Sequence, residues 1–66
     1  MPTAVARAQC YSGLAEECQK LARLQTDPVL RAHYESIAGH YLTLAEAELA
    51  LAERETAARS QRSSIN

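Results

Sequence analysis

A chain of 66 residues has room for one small domain, and chains this short fold alone only marginally, many needing disulfides, metal or association. Seven Lys and Arg against eight Asp and Glu leave a net charge of −1, which lacks the basic balance of a typical nucleic-acid binder. The chain has no Phe or Trp and is rich in Ala and Leu, which favours helix over strand.

The first helix is predicted over residues 4–25, with Pro2 and Thr3 as its lead-in. Its apolar positions are Tyr11, Leu14, Ala15, Cys18, Leu21 and Ala22, at the spacing of an amphipathic helix with a coiled-coil-like seam. Arg7, Gln9, Ser12, Glu16, Gln19, Lys20 and Arg23 occupy the other face, where Glu16 and Lys20 form a favourably oriented i,i+4 pair. Gly13 falls on this polar side at a propensity cost of up to about 1 kcal/mol.

Thr26-Asp27-Pro28 interrupts the periodicity and is read as the turn. Asp27 is a suitable N-cap, Pro28 suits the first helical position, and Pro28 disfavours helical geometry at Asp27. Thr26 is an alternative cap, and Arg31 stands four residues beyond Asp27 at ion-pair spacing.

The second helix is predicted over residues 28–59, followed by a polar, frayed tail over 60–66. Its main stripe is Leu30, Tyr34, Ile37, Tyr41 and Leu44, with Glu48 next on the same line. Folding back at the turn sets Leu21 near Tyr34, Cys18 near Ile37, Leu14 or Tyr11 near Tyr41, and Val5 near Glu48. The apolar seam is therefore expected to end at Glu48, where the first helix runs out. A second stripe, Ala38, Leu42, Ala45, Leu49 and Ala52, is more than one short helix can cover. It is the expected interface of a homodimer, in which two antiparallel hairpins form a four-helix bundle.

The segments AEECQKLA (15–22) and TDPVLRAHYESIAGHYLTLAEAE (26–48) carry a resemblance. They resemble a group of short bacterial helical-hairpin proteins with a Glu-Cys-x-x-Leu-Ala segment, a Thr-x-Asp-Pro-x-x-Arg turn and an Ala-x-x-aromatic-x-x-Leu-Ala segment. Here the turn is contracted, and Tyr41 holds the aromatic position. The resemblance implies a helical hairpin and carries no activity, cofactor or site residue.

The residue types able to do chemistry are scattered. Cys10 and Cys18 stand roughly 12 Å apart along one helix axis, beyond disulfide reach. Cys18 reads as a small seam hydrophobe and Cys10 as more exposed. His33 and His40 are separated by roughly 10 Å of rise and lack the ligand spacing of a metal site. Glu46, Glu48, Glu53 and Glu55 read as a solvated face, since a two-helix hairpin offers no pocket for acid–base work. No cofactor, metal or catalytic residue is expected. No apolar run approaches the length of a membrane span, and no signal segment precedes the first helix, so the cytoplasm is the expected location.

The sequence thus points to an all-α hairpin: a non-enzymatic, self-associating interaction or scaffold module. Two other readings stand beside it. One is a dimeric hairpin that binds RNA, against which the near-neutral charge counts. The other is an antitoxin-like subunit that completes its core on a different protein.

Overall fold

The computed structural model describes residues 3–65, with side chains described as far as Ser60. Helix α1 runs Ala4–Leu24 and helix α2 runs Pro28–Ile65, and the two pack along each other as a hairpin. No strand occurs among the described residues. The molecule measures 60 × 17 × 14 Å. At 1.5 Å per residue, α2 is about 57 Å long and α1 about 32 Å, so α2 sets the length and projects past the start of α1. The sequence predicts an end to the second helix at residue 59 and a frayed tail over 60–66; instead α2 continues to Ile65, and Asn66 lies outside the described residues.

Local chemistry accounts for the helix ends. Thr3 caps α1: its Oγ1 accepts a hydrogen bond from the Ala6 amide at 3.1 Å, and its carbonyl accepts from the Arg7 amide. At the turn, Gln25 leaves helical geometry while its amide still donates to the Ala22 carbonyl at 3.2 Å. Asp27 Oδ1 accepts from the Val29 amide at 2.8 Å, and the Asp27 carbonyl accepts from the Arg31 amide at 3.0 Å. Pro28, which has no amide hydrogen to leave orphaned, is the first residue of α2. The Arg31 side chain does not take Asp27 as its partner. Its Nε and Nη2 donate to the Gln25 carbonyl at 3.3 and 2.9 Å, tying the end of α1 to the first turn of α2.

The core is made of alanine. Ala4, Ala8, Ala15 and Ala22 of α1 and Ala38 and Ala45 of α2 are 1–4% exposed, and among the described residues no larger side chain is buried. The spacing explains the selection. Ala8, Ala15 and Ala22 recur every seven residues, as do Ala38, Ala45 and Ala52. A seven-residue repeat keeps one line of side chains on the partner helix along its whole length. Methyl groups on that line in both helices allow interaxial separations near the low end of the usual range of about 8–10 Å.

This overturns part of the seam expected from sequence. Leu14 and Leu21, placed at its centre, are 40% exposed, and Leu30 and Leu44 are exposed as well. Leucines on the contact line would hold the helices apart, so the alanines take that line and the leucines move to the side. Tyr11, Cys18, Tyr34, Ile37 and Tyr41 are half-buried beside the alanines, with the rings of Tyr11 and Tyr41 stacked at a centroid distance of 6.2 Å. The seam also runs past Glu48, since Ala4 is buried and Ala52 half-buried. Glu48 meets Arg7, about half a turn of α1 beyond the Val5 expected opposite it: its Oε2 lies 3.0 Å from Arg7 Nε.

Candidate functional site

With alanines on the contact line, each helix has two flanking rows, and chain reversal pairs like rows from the two helices. Two hollows identify one side. Near the turn, an open hollow of about 600 Å³ is lined by Gln19, Ala22 and Arg23 from α1 and by Arg31 and Glu35 from α2. Toward the start of α1, another of about 480 Å³ is lined by Val5 from α1 and by Leu49, Ala52, Glu53, Thr56 and Ala57 from α2. Gln19 and Val5 thus share a side with Glu35, Leu49 and Thr56. Steps of seven add Ser12 and Leu42 to this row. It is mixed in character, with three aliphatic positions, Val5, Leu42 and Leu49, among polar and charged ones.

The opposite row follows from the same repeat. On α1 it holds Arg7, Leu14 and Leu21; on α2 it holds Leu30, Ile37, Leu44 and Leu51. Reversal interleaves the two sets, so the aliphatic side chains alternate between helices. All are 40–47% exposed except the half-buried Ile37. The half-buried Tyr11, Cys18, Tyr34 and Tyr41 lie between this row and the alanine line. The result is one continuous apolar side, interrupted toward the start of α1 by Arg7 and its partner Glu48. At that contact Glu48 Oε2 lies within ion-pair distance of Arg7 Nε and accepts no aligned hydrogen bond from the described residues.

The structure divides the stripe that the sequence had assigned to a partner chain. Ala38 and Ala45 are spent inside the hairpin, Ala52 is half-buried, and Leu42 and Leu49 stay outside, 41% and 46% exposed. Sequence reasoning missed the opposite side, because Leu14, Leu21, Leu30 and Leu44 were allotted to the interior. The alanine repeat of seven on both helices is the signal that separates the two sides.

The titratable groups do not converge. Cys10 is exposed and Cys18 half-buried, both as free thiols, and His33 and His40 are exposed. Among the described residues, no group of three or more His, Cys, Asp and Glu is placed to hold a metal ion. Lys20 pairs with Glu17 at 3.6 Å, one step from the Glu16 expected. No helix among the described residues is long and apolar enough to cross a membrane. The chain matches no protein-family model, no curated protein and no solved structure.

Proposed function

We propose that this protein is a non-enzymatic helical interaction module that works by self-association, as a homodimer of hairpins forming a four-helix bundle. One observation carries the reading: among the described residues ten large aliphatic side chains are exposed and only alanines are buried. Alanine burial removes little apolar surface, and at about 25 cal/mol per Å² it stabilises little.

The overall dimensions agree. The chain exposes 5265 Å², whereas a compact monomer of 7.2 kDa should expose about 4,100 Å². Its radius of gyration is 16.7 Å, against about 11 Å for a globule of this length. The excess surface exceeds the roughly 800 Å² that each partner contributes to an ordinary specific interface.

The proposal places the protein in the cytoplasm. The resemblance of the Glu17-Cys18 and Thr26-Asp27-Pro28 segments to short bacterial helical-hairpin proteins is in keeping with this reading and adds no activity to it. Sedimentation equilibrium on the full chain is the test. A mass of two chains at micromolar concentration, with helicity matching α1 and α2, is expected. A mass of one chain at high micromolar concentration with full helicity would overturn the reading.

A further inference from the structure

We infer that the surface used for self-association is the leucine side, Leu14 and Leu21 of α1 with Leu30, Ile37, Leu44 and Leu51 of α2, and that its occupant is the same side of a second copy. The inference rests on the self-association reading and names its surface. It departs from the expectation that Leu42 and Leu49 form the contact.

The two sides differ in what they offer. On the leucine side, six of the seven repeat positions are Leu or Ile, and each presents part of its surface to water. With the exposures found here, these side chains amount to on the order of 450 Å² of apolar surface, within the range of the largest patch on a typical monomer. Covering them together with the adjoining half-buried tyrosines and the rim approaches the roughly 800 Å² per partner of a specific dimer. The opposite side has Val5, Leu42 and Leu49 separated by Ser12, Gln19, Glu35 and Thr56. Burying it would desolvate polar groups without supplying partners for them.

Charge argues for a second copy as the occupant. A two-fold contact brings a surface against itself, so any like charges it carries are brought together. Arg7 is the one charge among the repeat positions of the leucine side, and it lies toward the start of α1, in contact with Glu48 of its own chain. Within that row the stretch from Leu30 to Leu44 is uncharged and can meet itself without confronting like charges, with Glu17, His33 and His40 at its outer edge. The row itself gives a charged foreign helix no complementary group to select. Interleaved leucines from two antiparallel helices are the inner face a four-helix bundle requires.

Matched pairs of substitutions in the full chain test the assignment. Leu14→Glu with Leu44→Glu should reduce the sedimentation mass to one chain. Leu42→Glu with Leu49→Glu should keep the wild-type mass. Leu14→Ala with Leu44→Ala preserves helix propensity, so it guards against loss of folding; it should retain helicity while weakening association by about tenfold or more. A dimer broken by the Leu42 and Leu49 pair, or one whose dissociation constant is unchanged in the Leu14 and Leu44 alanine pair, would overturn the surface assignment and leave self-association standing. A wild-type chain that stays single would overturn both. Recovery of the wild-type chain from cells in a stable complex with a different protein, with no two-chain species, would replace the second copy by a foreign occupant.

Discussion

Gly13 and Gly39 each lie within a helix at negative φ, and a Cβ built at either position meets nothing within 4 Å. Neither glycine is required by backbone conformation or by close approach within the hairpin. Each therefore leaves the unfolded chain more freedom than alanine would and lowers helix propensity. Gly13→Ala and Gly39→Ala should each stabilise by about 0.5–1 kcal/mol, seen as a raised urea midpoint. A lowered midpoint in either would mean that another chain packs closely at that position. The same scale shows what the sequence made legible. Asp27 and Pro28 act on amides one or two residues away, so their place at the start of α2 follows from local chemistry. The Arg31 side chain reaches across the turn to the Gln25 carbonyl, six residues back, and the sequence carries no sign of that choice over Asp27.

The helix pair was legible as a pair, through its periodicity and its turn, but the line of contact was not. Hydropathy ranks leucine above alanine as an interior residue, and both recur at helical spacing here, so a reading by hydropathy puts Leu14, Leu21, Leu30 and Leu44 inside. Steric fit reverses the order when both helices carry alanine every seventh residue, because close approach then brings the whole length of α1 into contact with α2. Substitution on the alanine line measures how tight that fit is. Ala15 is 1% exposed and Ala45 4%. Ala15→Leu adds side-chain volume at a position that is already almost fully covered, and overpacking of this kind typically costs about 1–3 kcal/mol. A lower urea midpoint is expected for Ala15→Leu, with little change for the same substitution at the exposed Ala47. Equal midpoints would mean that the helices separate freely and that the alanine line does not determine their packing.

At the scale of the molecule, a rod of 60 × 17 × 14 Å has too little interior for its apolar content. The sequence carried that conclusion in its surplus of aliphatic positions, though not the side on which the surplus would be left, which depends on where the alanines direct the contact. If the leucine side supplies the missing core only when two copies meet, folding and association are one equilibrium. The stability of the hairpin then depends on protein concentration by mass action. The midpoint of thermal unfolding, followed by helicity, should rise steadily as the concentration of the full chain is raised. The Leu14→Ala and Leu44→Ala pair should melt lower at every concentration, because each truncation removes surface that the partner would cover. The Leu42→Ala and Leu49→Ala pair should follow the wild-type curve closely. A midpoint independent of concentration, with full helicity at the most dilute point, would mean that six buried alanines and their half-buried neighbours suffice to hold α1 against α2. The leucine side would then be a surface that the hairpin leaves open without needing it for its own fold.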